Sequence, residues 1–186
     1  MKSFNALDIS KKVIAAHVRE GSICIDATMG RGNDTAYLCS LAGSSGKVTA
    51  FDIQDDAINS TALLLESKGL SARLIKESHE NMDRYAEKGT VDCITFNLGW
   101  LPGGDHTVHT MPESSITALQ KAMELLSDTG IISLIIYYGR DTGFEEKERV
   151  MDFLKSVDSK KYTVIISEFA NRPNCPPIPV FIFRNL

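Results

Sequence analysis

Asp26, Gly30, Gly32 and Asp52 combine residue types that can hold a charged small molecule. The glycines lie in "ICIDATMGRGNDT", residues 23–35, where an apolar stretch passes through a turn into a helix-like segment. A strand that ends in such a turn and opens a helix presents backbone N–H groups and the positive helix end to a ligand. Gly30 and Gly32 permit positive φ and a close approach of the ligand to the backbone. In the dinucleotide fingerprint a third glycine packs helix on strand, but here Thr35 occupies that place, which weakens an NAD site. Asp26, just before the glycines, disfavours a pyrophosphate and favours a ligand with a cationic amino group or sulfonium, the charge pattern of S-adenosylmethionine. Asp52, near the end of the next strand-like run, can accept two hydrogen bonds from a ribose diol. A GxG alone also fits a plain tight turn, and the flanking carboxylates carry the ligand reading.

Elements that position these residues follow from periodicity. Apolar residues at helical spacing predict a helix over 6–18, then strands and helices alternate. Strands are expected at "SICIDA", "KVTAFDI", "ARLIKES", "VDCITFNL" and "IISLIIYY", the last apolar enough to be central and covered on both faces. Helices are expected over 34–42, 55–68, 113–127 and 145–157, with a short helical piece over 82–87. "YTVIISEFA" and "PVFIFR" are joined by the short "NRPNCPPI", so they form an antiparallel hairpin, since parallel neighbours need a long crossover. The expected fold class is α/β: a Rossmann-like, doubly wound, mostly parallel sheet of seven strands with a C-terminal antiparallel hairpin, in one domain over 1–186.

Composition narrows the function. With 20 Lys and Arg against 24 Asp and Glu, the net charge of −4 argues against a surface that grips nucleic acid everywhere, while leaving room for a local basic patch. No apolar run is long enough to span a bilayer and the start does not read as a signal peptide, so no membrane partner is expected. Cys24, Cys39, Cys93 and Cys175 are scattered without a CxxC pair and read as reduced thiols of a cytoplasmic protein; no metal site is expected. The amphipathic first helix and the apolar hairpin can each serve a homodimer or be buried within one chain.

"DATMGRGNDT", "AFDIQ", "SHENM" and "NLGWLPGGD", in this order and spacing, resemble the YtqB/MnmM family of small Rossmann-like methyltransferases, and the match covers nearly the whole chain. The resemblance implies an S-adenosylmethionine-dependent enzyme that methylates the 5-aminomethyl group of the tRNA wobble uridine, with the anticodon loop as partner. It places the methionine part of the cofactor against Asp26, Met29, Gly30, Gly32 and Asn33, with Asp34 and Thr35 at the helix start. Asp52 takes the ribose, Ile53 and Gln54 lie beside the adenosine, Ser78 and His79 border the adenine, and Asn97 and Leu98 complete the cofactor set. Read without the resemblance, His79 fits a capping or surface histidine.

Methyl transfer from a sulfonium is an in-line displacement that requires an aligned lone pair and little acid–base chemistry. An amine nucleophile must first lose its proton. "NLGW" stands where many amino-group methyltransferases have Asn/Asp-Pro-Pro-Tyr, so Asn97 is the expected orienting residue, its side-chain carbonyl accepting from the target nitrogen. Asp105, His106 and His109 are the candidate proton acceptors, one of the three taking the proton. Trp100, His109, Tyr138, Arg140 and Asn171 are candidate substrate contacts, Trp100 by stacking on a base and Arg140 by pairing with a phosphate. Relatives usually carry His where Tyr138 and Arg140 stand, a departure at the substrate side. Methylation of rRNA or of a small amine, a non-catalytic cofactor-binding module, and an NAD-dependent oxidoreductase are the competing readings.

Overall fold

Long apolar runs such as those on both sides of Thr95 and Ser133 need cover on both faces, and the chain supplies it with two helical layers. The computed structural model describes residues 4–99, 110–139 and 143–185. In chain order the elements are α1 (Ala6–His17), β1 (Ile23–Asp26), α2 (Asn33–Ala42), β2 (Lys47–Asp52), α3 (Asp55–Ser67), β3 (Arg73–Lys76), a 3-10 helix (His79–Arg84), β4 (Val91–Leu98), α4 (Pro112–Leu125), β5 (Leu126–Ile136), α5 (Gly143–Ser156), β6 (Tyr162–Ile166) and β7 (Ile178–Arg184). The strands form one sheet in the order β3-β2-β1-β4-β5-β7-β6, with β7 antiparallel to both its neighbours and the rest parallel. This is the seven-stranded sheet expected from the sequence, with the one reversed strand.

Period-2 alternation splits the strands other than edge strand β6 between two cores. Ile25, Phe51 and Phe96 pack with Met82 and the buried residues of α4 and α5. Cys24, Val48 and Cys93 pack with Ile14, Leu38 and Leu65 from α1, α2 and α3. The start of α1 is a reciprocal cap in which Asn5 and Asp8 each accept the other's backbone N–H. A buried hydroxyl pair, Ser10 Oγ and Ser133 Oγ at 2.7 Å, fastens α1 to β5.

Several element bounds differ from expectation for local reasons. α4 stops at Leu125 rather than Ser127, and Leu126 already pairs with Val91 before the ladder shifts and resumes at Cys93 and Ile131. Asp92 holds that bulge: one carboxylate oxygen accepts the Ser127 hydroxyl at 3.1 Å and the other accepts the Ile23 N–H at 2.9 Å. Gly130 is required there, because a Cβ would lie 2.7 Å from the Val91 carbonyl oxygen. The helical piece after β3 starts at His79 rather than Met82, since Ser78 caps it and both His79 and Met82 turn inward. β6 ends at Ile166, short of the "SEFA" that follows it, after which only Ser167 N–H still bonds across, to Pro179 O.

The four cysteines are free thiols, three of them buried. Cys24 and Cys93 face each other in register on β1 and β4, and burial pushes the Cys24 thiol up to about 12. Among the described residues no helix is long and apolar enough to cross a membrane. Asp92→Ala should destabilise the fold by about 1–3 kcal/mol, because the Ile23 N–H loses its partner at a half-buried site. Urea unfolding checks this: the midpoint should fall clearly in Asp92→Ala and less in Asp92→Asn, which keeps one acceptor.

Candidate active site

The sheet changes direction between β1 and β4, the point at which open α/β sheets leave a crevice at their carboxyl ends. The glycine turn fills the β1 side. Ala27 N–H bonds to Thr95 O at 2.8 Å and Met29 N–H to Phe51 O at 2.9 Å, so both neighbouring strands hold the turn. Gly30 and Gly32 have φ of 50° and 80°. A Cβ on Gly32 would come within 2.8 Å of Thr61 Oγ1 and 2.9 Å of its Cα, so α3 packs where any side chain would stand. Gly32 is also the N-cap of α2 and supplies no side-chain cap, which leaves the first N–H groups of that helix directed at the crevice.

Carboxylates hold the turn from two sides. Asp52 accepts Gly30 N–H at 3.1 Å on one oxygen and Gln54 N–H at 3.0 Å on the other, with a lone pair left on each. Asp26 is wholly buried beneath the turn, where it accepts Thr28 N–H at 3.2 Å and the Thr35 hydroxyl at 2.6 Å. Burial first, and the charge of Asp34 second, push its carboxyl from the ordinary 3.8 up to about 7. Thr35, which replaces the third glycine of a dinucleotide site, is thus the donor that steadies this acid.

On the β4 side, Asn97 is fixed at both its backbone and its side chain. Its N–H donates to Thr28 Oγ1 at 2.7 Å and its Nδ2 to Asp34 Oδ2 at 2.8 Å. A carboxylate only accepts, so Asp34 dictates which end of the amide faces it and turns Asn97 Oδ1, an acceptor, the other way. The cleft here encloses about 980 Å³ and is lined by Thr28 to Arg31, Asn33 and Asp34, by Asn97 and Gly99, and by Tyr137, Tyr138, Cys175 and Pro177. It continues beside α2 past Lys11 and Tyr37 to Lys68 and Leu70. Burial and Asp34 hold the Tyr137 hydroxyl up at about 12.

Of the residues singled out in the sequence, Met29, Gly30, Asn33, Asp34, Asn97 and Tyr138 line this cleft. Asp26, Thr35 and Leu98 are buried beneath it. Ile53 is exposed and Gln54 caps α3 beyond Asp52, while Ser78 caps the 3-10 helix and His79 lies inside, edge-on to Phe96 at 5.9 Å. Burial lowers the His79 pKa, and its Nε2 has no hydrogen-bond partner among the described residues. Asn171 is exposed on the connection between β6 and β7. Trp100, Asp105, His106, His109 and Arg140 lie outside the described residues.

Other contributors lie in quoted segments or far from them in the chain. Thr28, Tyr137, Cys175 and Pro177 reach the cleft through the tertiary fold. Glu146 of α5, almost fully buried, accepts the hydroxyls of Thr110 at 2.7 Å and Ser115 at 2.8 Å. Thr110 in turn exchanges bonds with Gly99, accepting its N–H at 2.9 Å on Oγ1 and donating its own N–H to Gly99 O at 3.0 Å. The two ends of the loop between β4 and α4 are therefore tied together beside Asn97.

Comparison with known proteins converges on one kind. The family described as "Putative rRNA methylase" matches residues 48–183. A chloroplastic tRNA (mnm(5)s(2)U34)-methyltransferase of Arabidopsis thaliana is 34% identical, the match covering 96% of this chain and 69% of that protein. A structure described as a "putative rRNA-methylase" from Clostridium thermocellum is 51% identical with a TM-score of 0.96, each chain covered in full. A "putative methyltransferase" from Streptococcus mutans, solved in complex with SAH, is 34% identical over both full chains with a TM-score of 0.89.

The raised Asp26 pKa fixes a sign for stability. Between about pH 4 and pH 7 the folded protein keeps a proton that the unfolded chain has released, so stability of the ligand-free protein should fall as pH rises across that window and level off above it. Asp26→Asn keeps an acceptor for Thr28 N–H and removes the titration. Its thermal midpoint, followed from pH 4 to 8, should show a flatter descent than that of the unaltered protein.

Proposed function

The chain belongs to the rRNA methylase family, and from that premise we propose that it methylates the amino nitrogen of 5-aminomethyl-(2-thio)uridine at the tRNA wobble position. It is an S-adenosylmethionine-dependent RNA methyltransferase; the target nitrogen is the finer reading. The observation that carries this reading is the Asp34–Asn97 contact, which presents a fixed amide carbonyl beside a carboxylate in the crevice next to the glycine turn. We further propose that residues 1–186 form one methyltransferase domain working in the cytoplasm.

The residues present fit the cofactor. Buried Asp26 and cleft-lining Asp34 suit a cation, Gly30 brings side-chain-free backbone to the cleft wall, and the uncapped start of α2 suits a carboxylate. When bound, S-adenosylmethionine supplies an electrophilic methyl carbon on a sulfonium. In this proposal Met29, Gly30, Gly32, Asn33 and the first turn of α2 hold its methionine part. Asp52 uses its remaining lone pairs on the ribose, Ile53 and Gln54 flank the adenosine, and Ser78 and His79 border the adenine. Asp26, Thr35 and Leu98 act from underneath.

Asp34 draws the ammonium form of the substrate into the crevice by charge. Asn97 Oδ1 accepts one N–H of the neutral amine and so aims its lone pair. Leu98 O and Gly99 O already accept Tyr137 N–H and Thr110 N–H, so Asn97 offers the less encumbered acceptor. Asp105 or His106 takes the departing proton, and Trp100, His109, Tyr138, Arg140 and Asn171 contact the nucleotide.

Transfer of tritium from labelled adenosylmethionine to tRNA from cells lacking this protein, followed by nucleoside analysis, tests the reading. Label should appear in the 5-methylaminomethyl nucleoside; label elsewhere, or none, overturns the target assignment. Asn97→Ala should slow methyl transfer by about 10²-fold, the scale of a misplaced nucleophile, while changing cofactor affinity far less. Because a cationic ligand favours ionised Asp26, cofactor affinity measured by calorimetry should rise with pH through about 7, and Asp26→Asn should lose that rise.

A further inference from the structure

Among the described residues the charged side chains of the cleft lining are Arg31 and Asp34 at the inner end and Lys11 and Lys68 at the outer end, so the one lining carboxylate stands at the inner end. At the inner end the Asp34 carboxylate meets Asn97, with the Asp26 carboxyl beneath. At the outer end, between α1, α2 and α3, the lining carries Lys11 and Lys68. The ion pairs among the described residues engage Lys76, Arg84, Lys88, Lys121, Arg149, Lys155 and Arg184, none of which lines the cleft. Lys11 and Lys68 have no carboxylate partner among the described residues. Lys11 is instead kept in place by Tyr37: its ammonium stands 5.3 Å from the ring centroid, and the Tyr37 hydroxyl donates to the Lys11 carbonyl at 2.9 Å.

We propose that the outer groove between α1, α2 and α3 is the seat of the RNA phosphodiester backbone, with Lys11 and Lys68 pairing with its phosphates. The proposal rests on the RNA-methyltransferase reading. Phosphates on the ammonium groups and a cationic amine beside Asp34 give the substrate one favourable direction: the modified base points inward and the backbone stays at the outer end. A backbone reversed in the cleft would set phosphate against the Asp34 carboxylate. The groove thus selects orientation by charge without reading sequence, which is the ordinary division of labour for groups that bind phosphate.

The test compares the unaltered enzyme with the double variant Lys11→Gln/Lys68→Gln, using tRNA from cells lacking the protein. In the double variant the KM for tRNA should rise several-fold. The slope of log affinity against log salt should become shallower by about 1.4, at about 0.7 for each single-strand phosphate that is no longer neutralised. Cofactor affinity and thermal midpoint should hold, and Lys11→Arg/Lys68→Arg should restore the slope. An unchanged slope and KM, with salt-dependent tRNA binding intact in the unaltered enzyme, overturns the groove as the backbone seat while leaving the function standing. A variant that alters sedimentation instead of the salt slope assigns the groove to a second copy of this chain and also overturns the proposal. If the unaltered enzyme neither binds nor methylates RNA, the functional reading itself has failed and the groove proposal falls with it.

Discussion

A carboxylate kept out of water beneath the glycine turn is the constraint on which the rest of the site depends. Burying an acid is unfavourable unless donors surround it, and Asp26 has two, the Thr28 N–H and the Thr35 hydroxyl. Those donors set the geometry on both sides of the crevice. Thr35 anchors the first turn of α2, and Thr28 uses its own hydroxyl to fix the backbone of Asn97 at the end of β4. Asp34, one residue before Thr35, then orients the Asn97 amide. One buried charge therefore gives the cofactor side and the substrate side a common reference point. Two donors do not fully offset its desolvation, as its raised pKa records, and the site is left with an appetite for a cation.

Much of this was legible in the sequence because it is local. The period-2 runs named all seven strands, but β5 begins at Leu126, five residues before its apolar run, and β6 ends at Ile166, four residues before its run does, once its ladder to β7 ends. The glycine turn, Asp26, Asp52 and Asn97 stand at strand ends, where chain order alone implies that they meet. What was not legible depends on pairings across long separations. Glu146 meets Thr110 and Ser115 at separations of 36 and 31 residues, and no local pattern specifies that. Its position carried one signal nonetheless: with Val150 and Leu154 it forms the buried stripe of α5, and an acid in an apolar stripe calls for partners. The inward turn of His79 was missed because Ser78, the residue before it, took the capping role.

At the substrate-side wall of the cleft Tyr138 stands edge-on to Phe144, and the Lys147 ammonium lies 4.4 Å from its ring centroid. A positive charge is thus present at this wall of the cleft although the residue at position 138 cannot supply it. Nearby, the Glu146 clamp pins Gly99 to Thr110, so the loop that begins beside Asn97 leaves and re-enters the fold at one fixed point.

Insertion of β7 between β5 and β6 governs the order in which the protein can be made. α1 packs against β5 and β7, which lie more than a hundred residues further along the chain. During synthesis the first helix therefore emerges with nothing to cover its apolar face, and β5 waits with one edge unpaired until residues 178–184 have left the ribosome. Such distant pairings make folding slow, since chain closure must precede the interactions that reward it. The glycine turn, Asp52 and Asn97, by contrast, lie within residues 23–98, while Tyr137, Tyr138, Cys175 and Pro177 close the cleft from later in the chain. The turn that holds the small ligand is thus built from near neighbours in the chain, and the strand that completes the sheet is its last element.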